Sequence, residues 1–250
     1  MKPLNDFVLD DGYRFGLGAF ETIYVKNGEG ILLPYHLERL QNALAALEIP
    51  MPVSFEDKMA YHIRQMPLDK DVLRVAVSQY NTVWETRKNP YTQEQYTRGF
   101  SLLYSSVRRN ETSPLTAIKS LNQGDNILQR RAALYRGFDE AVFLNSKGEL
   151  TEGTVSNLFF VADKRLYTPD TNCGLLAGTV RRWLIEKYNA KEIHLRTKEL
   201  GFFQEMFITN SLLGIMPVCR LDTLIFPERT VTYELLELYW KMTEGFACNY

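Results

Sequence analysis

The sequence predicts an α/β (α+β) chain of two domains, and three observations carry that prediction. Leu37, Leu40, Leu44 and Leu47 recur at three- and four-residue steps, the apolar stripe of a helix over 36–49. Leu73, Val75 and Val77 alternate with Arg74, Ala76 and Ser78, the period of a strand over 72–80. A charged, proline-ended stretch (Arg108, Arg109, Pro114) then parts this α/β segment from a second strand–helix–strand core. The domains are therefore expected at 1–110 and 111–250, the first smaller than the second.

Composition narrows the function classes. With 45% hydrophobic and 24% charged residues and a net charge of −1, no global field favours nucleic acid or an anionic membrane. No apolar run approaches the ~20 residues needed to span a bilayer. Acids in the N-terminal run, where a signal peptide needs an apolar core, point to a cytoplasmic protein. Cys173, Cys219 and Cys248 are odd in number and scattered, as are His36, His62 and His194, so reduced thiols and no metal are expected.

Taken in order, Gly12, Gly16 and Gly18 precede an apolar strand rather than a helix, which argues against a dinucleotide-binding loop. They read as places where backbone approaches a ligand or a neighbouring subunit closely. Asn27-Gly28 signals a hairpin into a short strand at 31–33. Pro50 and Pro52 stop the first helix. A second helix is expected over 54–65, with Ser54 as cap and Asp57 three residues on. Residues 81–98, polar and aromatic, read as a loop, and 100–107 as a strand. Further on, Gly178-Thr179 opens a helix, strands cover 191–197 and 205–211, and a closing helix carries Leu235, Leu238, Tyr239 and Met242 as its stripe.

The chemistry centres on two residues. Lys119 follows Ala117-Ile118, surroundings that disfavour an ammonium and favour a nucleophilic amine. Glu152 opens the run Glu-Gly-Thr-Val-Ser-Asn that ends at Asn157. Gly178-Thr179-Val180 at a helix start and Asn210-Ser211-Leu212 in a turn are two candidate phosphate cradles. Arg39, early in the first helix, has the guanidinium fork that suits phosphate oxygens. A lysine, a carboxylate and phosphate cradles are the parts of a pyridoxal phosphate site.

Seven pieces of the chain carry a resemblance: GLGAFETIYV, HLERLQNAL, KSLN, DEAVFLNSKGELTEGTVSNLFFV, YTP, LLAGTVRRWLIE and ITNSLLGIMPV. In these and in their order the sequence resembles the class IV (fold type IV) pyridoxal-phosphate enzymes. That group holds branched-chain and D-amino acid aminotransferases and 4-amino-4-deoxychorismate lyases. The resemblance implies a small N-terminal α/β domain, a larger barrel-like C-terminal domain that binds pyridoxal 5'-phosphate, and a homodimer. It implies that Lys119 holds the cofactor covalently and shuttles the proton. Glu152 would keep the pyridine nitrogen protonated, supported by Asn157. Arg39, the backbone of Thr179 and Val180, and the Ser211 hydroxyl would bind the phosphate, and Leu176 would pack on a cofactor face.

The departures from the family pattern rank its members. Branched-chain aminotransferases carry a tyrosine five residues after the lysine, where this chain has Gly124, and an arginine where it has Tyr24. The arginine–histidine pair of the D-amino acid enzymes has no counterpart near residues 80–100. The compact chain and the run NSLLGIMPV resemble the lyases. The expected activity is thus a lyase of folate biosynthesis that makes 4-aminobenzoate and pyruvate. The alternatives are a branched-chain or D-amino acid aminotransferase, and a non-catalytic homologue acting as a binding protein. Thr22, Tyr24, Arg74 and Arg87 are the candidates for substrate contact.

Overall fold

The computed structural model describes residues 7–245. They form two compact units. One runs to Asn89 and takes back Ile118–Gln123; the other holds Pro90–Ala117 and Gly124–Gly245. No helix among the described residues is long and apolar enough to cross a membrane.

The first unit begins with helix α1 (Asp11–Phe15) and strand β1 (Gly18–Lys26). β2 (Glu29–Gly30), β1, β3 (Val72–Ser78) and β4 (Thr82–Arg87) lie side by side in that order, every pair antiparallel. Helices α2 (Leu33–Ala46) and α3 (Phe55–Arg64) supply Leu40, Leu44, Phe55 and Met59 to a core shared with Ile23, Val75 and Val77. The predicted leucine stripe is therefore real, with Leu37 and Leu47 packed at its margin.

Several local expectations are corrected. The strand expected at 31–33 gives way to the start of α2, because Pro34 occupies the first turn of that helix, where its fixed φ is favourable. Ser54 does not cap α3: at φ 52° and ψ 37° it is left-handed and makes no side-chain cap bond, whereas capping needs an extended residue. Within the expected loop at 81–98 lie strand β4 and helix α4 (Gln93–Arg98). β4 is an edge strand with one solvated face, so its polar residues conceal Trp84, which stacks on Phe55 at 5.4 Å. Thr92 and Gln95 start α4 with a full capping box. The approach made by Gly18 is to the chain itself, since a Cβ there would meet Val77 O at 2.6 Å.

The second unit contains β5 (Phe100–Arg109), helix α5 (Gly124–Tyr135), β6 (Glu140–Asn145), β7 (Leu150–Gly153), β8 (Asn157–Ala162) and β9 (Arg165–Pro169). Helix α6 (Thr179–Tyr188), β10 (Lys191–Ile193), β11 (Glu205–Asn210), β12 (Gly214–Leu221), β13 (Leu224–Ile225) and helix α7 (Thr230–Gly245) complete it. Strands β8, β11, β12, β5, β6 and β7 pair in that order, and β7 returns to β8, so six strands close a ring. Phe143, Phe159, Phe160 and Phe207 are among its fully buried side chains.

β5 pairs in parallel with both β12 and β6, which places it in the second unit and not, as expected, before a boundary at 110/111. α7 buries Leu235 and Tyr239 as expected, with Leu236 in place of the predicted Leu238, which is 44% exposed. Cys173 and Cys219 are free thiols, and Cys248 lies outside the described residues.

Candidate active site

In the first unit, Lys119 is held by backbone. Its carbonyl accepts the Phe20 N–H at 2.9 Å, Ser120 bridges Ala19, and Leu121 N–H donates to Gly18 O at 2.9 Å. The segment thus adds an antiparallel strip to the first residues of β1. Lys119 Nζ lies 4.5 Å from the centre of the Phe20 ring, within cation–π range.

Alternation along β1 sorts the other candidates. Phe20, Thr22 and Tyr24 share the half-buried face, opposite Ala19, Glu21 and Ile23. Thr22 faces Arg74 directly across β3, and the Arg74 guanidinium sits 4.7 Å from the Phe20 ring. Arg87 is in register with Val72, itself opposite Tyr24, so it lies two strands away, roughly 10 Å, at the exposed sheet edge. Lys119 and Arg74 therefore meet at the Phe20 ring with Thr22 beside Arg74, Tyr24 lies farther along the same face of β1, and Arg87 lies at the exposed edge. Burial, with Asp71 adding to it, raises the Tyr24 phenol, which stays a neutral donor.

Arg39 stands on α2 in a network that motif reading did not single out. Its Nε and Nη2 each donate to Glu21 at 2.7 Å, one bond per carboxylate oxygen, and His36 Nδ1 lies 2.6 Å from Glu21 Oε2. Glu21 is 1% exposed. Burial alone would push its carboxyl up, but the Arg39 charge and the hydrogen bonds of both partners hold it well below the usual range. Burial lowers His36, and the positive charges of Arg39 and Lys119 add to that against the pull of Glu21. Among the described residues His36 Nε2 has no hydrogen-bond partner. The signal for both residues was present in the spacing F-E-T and H-x-x-R-L.

In the second unit, Glu152 on β7 and Asn157 on β8 are direct cross-strand partners. Glu152 Oε1 accepts from Arg109 Nε at 3.1 Å and Nη2 at 2.7 Å, and Oε2 accepts from Leu176 N–H at 3.0 Å. Asn157 Nδ2 donates to Leu176 O at 2.8 Å. The backbone of Leu176 is thereby clasped at both ends by the pair, a role its side chain did not announce. Arg109, missed in the sequence, also donates to Asn126 Oδ1 at 3.1 Å and lies 4.0 Å over the Phe143 ring. It sits next to Arg108 at a strand end, where two adjacent arginines read as a solvated boundary.

The turn from Glu152 to Asn157 rests on a second buried acid. Glu140 Oε1 accepts from Val155 N–H at 2.7 Å, Ser156 Oγ at 3.0 Å and Thr154 Oγ1 at 3.2 Å. Burial raises its carboxyl despite those bonds. Asn210 Nδ2 donates to Val155 O at 3.2 Å, while its Oδ1 accepts from Leu212 and Leu213 N–H at 2.9 Å, so the Ser211 turn is tied to the same loop.

Helix α6 starts from Gly178, which supplies no side-chain cap, so the first-turn N–H groups of the buried Thr179 and Val180 are not satisfied by a cap side chain. A Cβ on Gly178 would collide with Asn157 Oδ1. An uncapped, glycine-led helix start is an anion cradle. Together with a buried, arginine-paired carboxylate it fits a ligand carrying both a phosphate and a basic ring nitrogen; in the first unit, Lys119 and Arg39 supply an amine and a guanidinium.

A family model described as amino-transferase class IV matches residues 18–221. An aminodeoxychorismate lyase of Bacillus subtilis is 29% identical over 237 residues, covering 85% of this chain and 80% of that protein. The crystal structure of 4-amino-4-deoxychorismate lyase from Pseudomonas aeruginosa is 26% identical with a TM-score of 0.85, covering 96% of both chains. The Escherichia coli branched-chain amino acid aminotransferase shares the fold at a TM-score of 0.85 and 21% identity, over 97% of this chain and 90% of that one.

Proposed function

This chain belongs to the class IV aminotransferase family, and from that membership we propose that it is a 4-amino-4-deoxychorismate lyase dependent on pyridoxal 5'-phosphate. A putative branched-chain aminotransferase of Methanocaldococcus jannaschii is as identical, at 29%, as the Bacillus subtilis lyase. What supports the choice of reaction is therefore the solved structures: two named as 4-amino-4-deoxychorismate lyases are 29% and 26% identical, against 22% and 21% for two branched-chain aminotransferases. Gly124 supports it: no atom lies within 4 Å of where its Cβ would stand, so packing does not demand a glycine there.

When bound, pyridoxal phosphate supplies an electron sink for a carbanion formed beside nitrogen. The chain supplies the rest. Glu152, paired with Arg109, would hold a proton at the ring nitrogen, and Asn157 is its partner on the neighbouring strand. The Thr179 and Val180 N–H groups, Ser211 and Arg39 would hold the phosphate, and the Leu176 segment would border the ring. The Lys119 amine would anchor the cofactor and, once freed, would take the proton from the substrate carbon that bears nitrogen. In the net reaction the C–O bond to the enolpyruvyl group breaks, the carbocycle becomes aromatic, and the leaving enolpyruvate gains a proton to become pyruvate. Arg74 and Thr22, adjacent on one face, would bind a substrate carboxylate, and the neutral Tyr24 phenol would donate a hydrogen bond. The same reading carries a homodimer in the cytoplasm.

The test has two arms. Purified protein supplied with cofactor is expected to be yellow, and Lys119→Ala to lack the visible band. Given 4-amino-4-deoxychorismate, the wild type is expected to release 4-aminobenzoate and pyruvate in equal amounts. A protein that stays colourless would end the cofactor reading. Turnover of branched-chain or D-amino acids with 2-oxoglutarate, and no 4-aminobenzoate, would assign it to the transaminases instead.

A further inference from the structure

A second cluster of reactive side chains lies in the second unit, apart from every residue assigned above. Glu149 stands just before β7, Cys173 ends a short 3-10 turn, and His194 follows β10. Cys173 Sγ is 3.4 Å from His194 Nδ1, and Glu149 Oε1 is 3.3 Å from the same nitrogen. The three ligand atoms all lie within 4.8 Å of one another.

Without a metal, the carboxylate is the common acceptor: the imidazole Nδ1–H and the Cys173 thiol both have Glu149 to donate to. The same three atoms could close on one cation in place of those two protons. Bond lengths of about 2.0–2.3 Å at tetrahedral angles put ligand atoms roughly 3.4–3.6 Å apart, close to the two observed separations. The cluster also has its outer support. Asn145, fully buried, donates to Glu149 Oε2 at 2.8 Å and to the Cys173 carbonyl at 3.2 Å, and its Oδ1 accepts the Glu149 N–H at 2.9 Å. Such supporting contacts fix metal ligands in place.

We propose that Glu149, Cys173 and His194 bind one divalent ion of the zinc class, with the fourth position open to solvent beside the 52%-exposed imidazole. A thiolate, an imidazole and a carboxylate favour a borderline ion such as Zn²⁺ over Mg²⁺ or Ca²⁺. As the S–Zn bond forms, the Cys173 S–H bond breaks and its proton goes to solvent. The three residues are far apart in sequence, which hid them from any argument based on ligand spacing.

The protein as purified, dialysed against a chelator, is titrated with Zn²⁺ by calorimetry and then examined by X-ray absorption at the zinc edge. One ion per chain is expected, with a sulfur scatterer at about 2.3 Å. His194→Ala, at an exposed position, is expected to keep its melting temperature without metal and to bind more than about tenfold more weakly, beyond the lower bound for an outer-shell change. Cys173→Ser should lose the sulfur signal. No uptake, a zinc shell without sulfur, or unchanged affinity in both His194→Ala and Glu149→Gln would overturn the proposal. None of these readouts depends on the pyridoxal phosphate assignment.

Discussion

Glu152 and Asn157 face each other across β7 and β8, and their pairing joins the two ends of the six-strand ring. The residue proposed to meet the ring nitrogen and the residue proposed to support it are thus also the seam of the barrel. Both reach Leu176, one through its N–H and one through its carbonyl. Changes here are expected to register in stability and cofactor binding together.

Gly178→Ala tests the seam from the outside. The new Cβ would strike Asn157 Oδ1, and overpacking of this kind costs about 1–3 kcal/mol. Thermal melts should show the loss, and Gly178→Ala combined with Asn157→Ala should recover part of it. Additive effects in the double variant would mean that the two groups do not meet.

Arg109→Gln leaves the Glu152 carboxylate buried without its cation. Removing one partner of a buried pair costs about 3–5 kcal/mol. Urea titration should read that loss, and cofactor titration a weaker affinity. Arg109→Lys should restore little, because one ammonium cannot donate as the Nε and Nη2 fork does.

Glu140 separates a turn's geometry from its charge. Glu140→Gln keeps a carbonyl oxygen for the Val155 N–H, and its melting temperature should stay near wild type. Glu140→Ala strands that buried donor at a cost of about 1–3 kcal/mol and should weaken cofactor binding. Equal behaviour of the two variants would remove Glu140 from the support of the Glu152–Asn157 turn.

The Glu21 network sets an acid limit. Its folded carboxyl is held below the ordinary 4.5, so the unfolded chain takes up the proton more readily. The stability it provides is complete above that value and is lost as the pH falls beneath it. His36 has the same sign, since a histidine lowered from 6.5 also favours the folded state less as the solution is acidified. Urea titrations should show stability dropping from about pH 6 to pH 3. Glu21→Gln should be less stable at neutral pH yet flatter over the acid range, and an equally steep fall would place the effect elsewhere.

Much of the site was legible because its parts are sequence-local. The Glu152–Asn157 turn, the Gly178-led helix and the Ser211 turn each declare themselves within a few residues. What escaped is long-range: Arg109 meets Glu152 and Glu140 meets Val155 only through strand pairing, which no period in the sequence encodes. The same blindness concealed β4, whose solvated edge lacks the apolar run that marks a buried strand, and put Leu238 in the α7 stripe in place of Leu236. Arg39 was found by its motif, but its carboxylate partner lies on a different element and was not.

The short strip Ile118–Gln123 has a consequence for how the chain comes into being. Its backbone bonds to Gly18 and Phe20 make it part of the first unit, although residues 90–117 of the second unit precede it. During synthesis the first sheet must therefore wait, with one margin of β1 unfilled, until the chain has grown past residue 123. A fragment ending at Asn89 would carry Arg39, Glu21 and Phe20 and still be unfinished. Lys119 arrives with the strip that fills that margin of β1.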